Sequence, residues 1–520
     1  MYSINNNSLL LVLITLIIAY NLNLSLSSSS SPPPSPPSSL KTVLRRLNGN
    51  SLSFTNISYA ATDYGNIIHN APLAVLYPAS VDQIARTVEL ASLLKPFTEL
   101  TVAAAGKRHS NGGQGQAKNG IVVDMGSSSL YETQVFPKEN PPYVEAWGGA
   151  MWITVLNKTL EYGLAPRSWT DYLHISVGGT LSNAGISGQA FRYGPQISNV
   201  LRLEVVTGVG EIVNCSATEN EDLFYAVLGG LGQFGIITKA RIILEPAPQK
   251  VKQIKALYTN FTDFTRDQEF LITSEKTFDY IEGMVLKNKS EAPQFRLEVN
   301  KNFNDNDDPS KVKAEIDGLL SNLSYIPSTL SITESSYVDF LERVYTAELF
   351  LDSIGLWQGG DVAHPWLNLL MPKKDIHTFA SQAFYNLITD SSLGPIIVYP
   401  LNKSKWNNRT SVVLPEGDDE IFYAVSFLPR ANISSNGTDS LQNMLNQRKK
   451  ISDFCESASI GAKQYLPYYK TPAEWQTKQY GPQRWKVFSQ RKETYDASCV
   501  LAPGQNIFTA ANCPGAGGFN

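Results

Sequence analysis

Histidine and cysteine are scarce in this chain: five and four residues in 520. The histidines, His69, His109, His174, His364 and His377, make no H-E-x-x-H or other paired spacing, so no metal site is expected. The cysteines, Cys215, Cys455, Cys499 and Cys513, fit no zinc pattern. They allow two disulfides or none, and read as structural or free thiols rather than catalytic ones. No G-x-S-x-G elbow occurs, so serine hydrolysis has no footing. An excess of positive charge is also missing. The formal net charge is −4, which gives no reason to expect nucleic acid or an anionic membrane as a partner. The apolar run Leu9 to Ile18 is too short to cross a bilayer core of roughly 30 Å, so membrane insertion is not expected.

That run follows a polar start and precedes a Ser/Pro tract, Ser25 to Ser39, in the manner of a secretory signal. A signal anchor is the alternative, since no Lys or Arg precedes the run. Residues 1–30 are read as the signal and 31–40 as a disordered tract that cannot bury apolar surface. Beyond the signal, ten Asn-x-Ser/Thr sequons begin at Asn56, Asn157, Asn214, Asn260, Asn288, Asn322, Asn402, Asn408, Asn432 and Asn436. They support secretion, with vacuole or endoplasmic reticulum as alternatives. The crowding of the last four suggests one exposed polar face.

What is present in quantity is glycine, grouped in three segments. The first runs from Ala103 to Ala117, with Gly106, Gly112, Gly113 and Gly115 around His109. An apolar run, Leu100 to Ala105, leads into it as a buried strand. Glycine lets backbone N–H groups approach and face an anionic ligand. The segment matches neither G-x-G-x-x-G nor the phosphate loop with its Gly-Lys-Ser/Thr end. The second segment is Val177 to Gly188, and the third, Gly229 to Thr238, feeds a strand from Ile237 to Leu244. Ser80 and Gln83 predict a capping box opening a helix with Ile84, Val88 and Ala91 on one face. Strands are predicted at Ile121–Met125 and Tyr143–Ala146, a helix at Trp152–Tyr162 ended by Gly163, and a hairpin from Val200–Val206 to Glu211–Asn214. After Pro246 to Pro248 the glycine content falls and charge rises. Strands at Gln294–Val299, Ile396–Tyr399 and Phe422–Phe427, with helices at Ser310–Leu320 and Tyr337–Leu349, predict a second α+β unit.

The first glycine segment, with His109-Ser110 and Gln114, resembles the flavin-attachment loop of vanillyl-alcohol-oxidase-type flavoproteins, and more closely that of plant cytokinin dehydrogenases. The resemblance continues through Trp169-Thr170-Asp171-Tyr172-Leu173, Gly178 to Gly185, Gly188 to Gln196, His364-Pro365-Trp366-Leu367-Asn368 and Ala502-Pro503-Gly504-Gln505. It covers nearly the whole chain after the signal. It implies an α+β, two-domain flavoprotein: an FAD-binding domain made of both chain ends, 41–248 and 461–520, with a substrate domain, 249–460, inserted between them. It implies FAD held covalently by His109, with Ala104, Gly106, Lys107, Arg108, Ser110, Gln114, Gly115, Asp171, Ser176, Ser182, Ile186, Ile237, Tyr465, Ala502 and Gln505 around the cofactor. One departure is Arg108, where the family has glycine. At positive φ a side chain there costs roughly 1–2 kcal/mol. Another is Ala502, where some relatives carry serine. No cysteine lies in Trp169 to Gly188, so a second, cysteinyl link is not expected.

The same resemblance makes Asp171 the catalytic base. Flanked by Trp169, Thr170, Tyr172 and Leu173, it is expected to be poorly hydrated, which strengthens a carboxylate base. Glu282 resembles the catalytic-site carboxylate that contacts adenine, although as pattern alone it reads as an exposed strand residue. Val344, Trp366, Asn368 and Leu466 would wall the substrate. The implied reaction oxidises the secondary amine of an N-prenyl adenine, a cytokinin, to adenine and an unsaturated aldehyde. Reoxidation would use a quinone-type acceptor or oxygen, and a monomer is expected. Carbohydrate or alkaloid oxidation on the same scaffold, or a silent cytokinin-binding protein, are the alternatives.

Overall fold

A computed structural model describes residues 38–515 apart from 128–129, 288–290, 355–361, 389–393 and 438. The expected signal, the tract as far as residue 37 and the sequon Asn288 lie outside the described residues. Residues 38–40 were expected to be disordered. They instead open the helix Ser38–Asn48, whose Leu44 is fully buried against the first sheet.

Three sheets carry the architecture. The first has four strands in the order Leu52–Ser53, Ala74–Leu76, Ile121–Asp124, Val102–Ala105, the last three mutually parallel. Its central strands are continuous apolar runs, as parallel strands covered on both faces require. The helix Val81–Leu94 covers one face with Ile84, Val88 and Ala91. Ser80 caps it by accepting the Gln83 N–H. The capping box is incomplete, because Gln83 accepts from Ala79 N–H rather than from Ser80 and gives its amide to the Asn48 carbonyl.

The second sheet is antiparallel and centres on Ile236–Pro246, flanked by Tyr143–Trp147 and Val200–Val206. Alternate residues of that central strand are buried. The third has eight antiparallel strands, from Ser331–Ser336 at one edge to Lys463–Tyr465 at the other. It therefore runs on to Tyr465, past the boundary expected at residue 460. One of its faces packs on Phe261–Thr273, Ile376–Gln382 and other helices around Phe264, Phe295 and Phe384. The other face looks toward the first two sheets.

Several expectations are corrected. The single helix predicted over Tyr337–Leu349 is two, Tyr337–Leu341 and Arg343–Ser353, broken at Glu342. The Glu342 carboxylate is held 2.9 Å from His174 Nε2, on the loop after Asp171. The cysteines form one disulfide, Cys499–Cys513, rather than two or none. Cys215 and Cys455 are free thiols buried in separate cores. The four late sequons do not share one polar face. Asn408, Asn432 and Asn436 are exposed, but the Asn402 amide donates to the Phe191 and Ile272 carbonyls between elements.

The C-terminal end returns to the first sheet. Val102 N–H donates to the Val500 carbonyl, and Ala502 N–H to the Val102 carbonyl. This return hangs on a fully buried ion pair. Lys492 Nζ lies 2.7 Å from Asp496 Oδ2 and also reaches the Gln233 carbonyl, while Asp496 accepts the Val500 and Leu501 N–H groups. Removing one partner strands the other charge, at a cost of about 3–5 kcal/mol. Lys492→Met should therefore lower the thermal midpoint by several degrees, measured on the purified protein. An unchanged midpoint would show that the pair does not hold the chain end.

Candidate functional site

The strand Val102–Ala105 delivers the His109 loop, and Asp63 shapes it. Asp63 Oδ2 accepts from Ser110 Oγ at 2.9 Å and from Gly113 N at 2.7 Å. Tyr64 N–H donates to the Arg108 carbonyl and Gly65 N–H to the Ser110 carbonyl. The Tyr64 ring stacks between two imidazoles, His109 and His364, each 3.9 Å away between centroids. Tyr172 lies 5.1 Å from His109. Burial, and then the neighbouring His364, push the His109 imidazole down to about 4, and burial does the same to His364. Both rings are neutral at physiological pH, so a ring nitrogen of His109 keeps its lone pair.

Asp171 sits on the loop between the strand Leu164–Pro166 and the helix Val177–Leu181. The expectation of a poorly hydrated carboxylate is corrected here. Its side chain is about a quarter exposed, and three donors converge on Oδ1: Ser187 Oγ at 2.5 Å, Arg343 Nη2 at 2.8 Å and the Tyr280 hydroxyl at 2.9 Å. No hydrogen bond from a described residue reaches Oδ2. The desolvated carboxylate is Glu282, two residues after Tyr280 on the same strand face. Burial, and then the Asp171 charge, push its carboxyl well above the usual carboxylate range, against the pull of Arg343. Its cross-strand neighbour is another carboxylate, Glu298. Reading Glu282 as an exposed strand residue is thus excluded.

The period of two in the third sheet builds one wall of the site. Tyr280 and Glu282 face Asp171, while Ile281 enters the opposite core. Trp366 and Asn368 line the same cavity, while Leu367 and Leu369 enter that core. The glycine segments build the facing wall. A Cβ on Gly148 would run into the Ile237 carbonyl, and one on Gly504 into the Gly113 carbonyl, so the chain closes around the space only because these positions lack side chains.

Between the walls lies a cavity of about 860 Å³. Every residue singled out from the sequence lines it, from Ala104 and His109 through Asp171 and Ile237 to Glu282, Leu466 and Gln505. The residues present fit a flavin dinucleotide: glycine backbone along one wall, a neutral histidine at one place, and buried polar atoms lacking a partner among the described residues. Of these, Gln505 Oε1 belongs to the cofactor set, while Glu282 Oε1 and Trp366 Nε1 lie in the part expected to hold substrate. Four non-glycine residues with positive φ, Arg108, Leu231, Leu466 and Ala502, also line the cavity. Such strain collects where a site over-determines the backbone.

Sequence reasoning missed Asp63, Tyr64, Ser187, Tyr280 and Arg343. Tyr280 was within reach, because a strand that points Glu282 at a ligand must point residue 280 there too. Arg343 gave no such signal, since its helix carries no clear apolar face.

Arg108 has φ 57°, so the cost attached to a side chain there applies. Its guanidinium offsets part of it by pairing with Asp124 Oδ2 at 3.3 Å and lying over the Tyr59 ring at 4.6 Å. Arg108→Gly trades these contacts for relief of strain worth about 1–2 kcal/mol, whereas Arg108→Ala loses the contacts and keeps the strain. Thermal unfolding should rank Arg108→Ala below both Arg108→Gly and the parent chain. Equal stability of the two variants would contradict this.

Comparison with known proteins agrees with this geometry. The family described as "Cytokinin dehydrogenase 1, FAD and cytokinin binding" matches residues 248–296 and 289–508, and the "FAD binding domain" family matches 72–216. Cytokinin dehydrogenase 4 of Oryza sativa subsp. japonica is 50% identical over 495 residues, covering 90% of this chain and 92% of that one. Cytokinin dehydrogenase 1 of Arabidopsis thaliana is 47% identical, covering 91% and 85%. Among solved structures, a VAO-type flavoprotein from Myceliophthora thermophila C1 superposes with a TM-score of 0.68 at 14% identity, covering 91% of this chain and 96% of that one, which bears on the fold alone. A glycine-walled cavity suited to FAD, where an antiparallel sheet brings Glu282 up to Asp171 on its loop, together with these identities, places the chain in the cytokinin dehydrogenase family of FAD-dependent oxidoreductases.

Proposed function

We propose that the chain oxidises the secondary amine linking an isoprenoid side chain to adenine in a cytokinin. The observation that carries this is Asp171, held by three donors on Oδ1 with Oδ2 left for a substrate proton, in the same cavity as His109 and the buried Glu282. FAD supplies the hydride acceptor when bound. Asp171 takes the amine proton as the adjacent carbon loses hydride, leaving an imine that water splits into adenine and an unsaturated aldehyde. Glu282, kept protonated by burial, donates to an adenine ring nitrogen. Trp366, Asn368, Val344 and Leu466 wall the adenine and its side chain. Neutral His109 supplies the ring nitrogen that links the cofactor, and Ser110, Gln114, Ser176, Ser182, Tyr465 and Gln505 hold the rest of it. A quinone-type acceptor or oxygen takes the electrons onward. We further propose that the protein is secreted, on the strength of the N-terminal apolar run and the sequons.

Two outcomes test this. Asp171→Asn should keep its flavin and lose at least about 10²-fold in turnover with a quinone dye on isoprenoid adenines, the lower range for loss of a general base. Near-parental turnover would remove Asp171 from the mechanism. Acid-precipitated protein should carry flavin absorbance in the pellet, and His109→Ala should release that absorbance to the supernatant. A colourless parental pellet would dismiss the covalent link and leave the cavity's affinity for FAD untouched.

A further inference from the structure

The cation between the two carboxylates has a defined place in the fold. Arg343 opens the helix Arg343–Ser353 on the sheet side of the cavity and reaches the loop of Asp171. Its Nη2 lies 2.8 Å from Asp171 Oδ1, 2.6 Å from the Tyr280 hydroxyl and 3.9 Å from Glu282 Oε2. Its Nη1 donates to the Phe340 carbonyl at 3.2 Å, and the guanidinium lies over the Phe340 ring at 4.3 Å. The head group is therefore fixed on several sides. Among the described residues, no other cation comes within ion-pair distance of Asp171 or Glu282.

We propose that Arg343 is the positioning residue that makes Asp171, rather than Glu282, the proton acceptor of the oxidation. The inference rests on the base assignment made above. Two carboxylates beside a single cation cannot both ionise cheaply when one of them, Glu282, is buried. Arg343 donates to Asp171 at 2.8 Å but stands 3.9 Å from Glu282, which burial already disfavours as an anion, so the charge settles on Asp171 and Glu282 keeps the proton. The Tyr280 hydroxyl, shared between Arg343 and Asp171, stays a donor. Through Oδ1 the same contacts fix the carboxylate plane, so Oδ2 has one direction in which to meet an amine.

The other groups facing Asp171 do not supply this selection. On the third sheet these are Tyr280 and Glu282 from one strand, Tyr399 from Ile396–Asn402 and Tyr465 from Lys463–Tyr465. Burial pushes the three tyrosines above their ordinary value, so they stay neutral and add no charge beside Asp171. Glu298 acts on Glu282 and is itself engaged by Arg296 and Lys255.

The sign is definite. The reactive form is the Asp171 carboxylate, so activity is present above the acid limb of the kcat/KM profile and is lost as pH falls through it. Withdrawing an adjacent positive charge makes the carboxylate harder to form and moves that limb up. Arg343→Gln, loaded with flavin, should show the limb raised by about one pH unit or more, with kcat falling further than KM rises. Arg343→Lys keeps the charge and loses the two-handed contact, so its limb should stay near the parental pH while kcat falls. An acid limb unmoved in Arg343→Gln would overturn the proposal. So would an Arg343→Lys limb displaced as far as that of Arg343→Gln, or displaced by a full unit if only the lysine variant accumulates. A purely structural role would lower turnover without moving the limb. Asp171→Asn separates the two readings. If it is inactive while the Arg343→Gln limb is unmoved, only the role of Arg343 fails; if it turns over normally, the base assignment itself fails.

Discussion

One carboxylate oxygen, Asp171 Oδ1, gathers a hydroxyl from the second glycine segment, a phenol from the third sheet and a guanidinium from the helix Arg343–Ser353. These segments lie far apart in sequence. Their convergence requires the flavin-binding and substrate-binding parts of the chain to be docked in one register. The contact from His174 to Glu342 and that from Tyr172 to Glu348 tie the same loop to the same stretch of chain. The three donors on Oδ1 offset the partial desolvation of the Asp171 carboxylate and leave Oδ2 for a substrate.

The rest of the site follows from two backbone regularities. Alternation along antiparallel strands sends residues 280, 282, 366 and 368 toward the cavity while their neighbours fill a core. Glycine does the opposite work on the facing wall, where backbone must approach backbone. Strain is stored between them, in left-handed Arg108, Leu231, Leu466 and Ala502. It is held there by contacts made elsewhere, such as Asp63 beneath the His109 loop and the buried Lys492–Asp496 pair behind Ala502.

The sequence was most legible where chemistry needs unusual composition. The glycine segments read as candidate anion-cradling loops, the family resemblance of His109 and the Trp-Thr-Asp-Tyr-Leu stretch implies a flavin beside a carboxylate, and most strands and helices follow from their apolar periods. It was least legible where function rests on partners distant in the chain. Asp63 and Tyr64 look like turn residues until the loop they support folds over them. Arg343 looks like an ordinary helix cation, and the helix reads as continuous with its predecessor because nothing local shows that Glu342 is drawn toward His174. The hydration of Asp171 was misjudged for the same reason. Its aromatic neighbours in sequence suggested a dry carboxylate, but its neighbours in space are donors, and the dry carboxylate is Glu282.

The most direct test is a crystal structure of the flavin-loaded protein with a slowly oxidised N-prenyl adenine bound. The account predicts the side-chain amine within about 3 Å of Asp171 Oδ2, the adenine ring against Glu282, and Oδ1 still held by Ser187, Tyr280 and Arg343. An amine with no contact to Asp171, or an adenine seated away from Glu282 in the cavity, would contradict it.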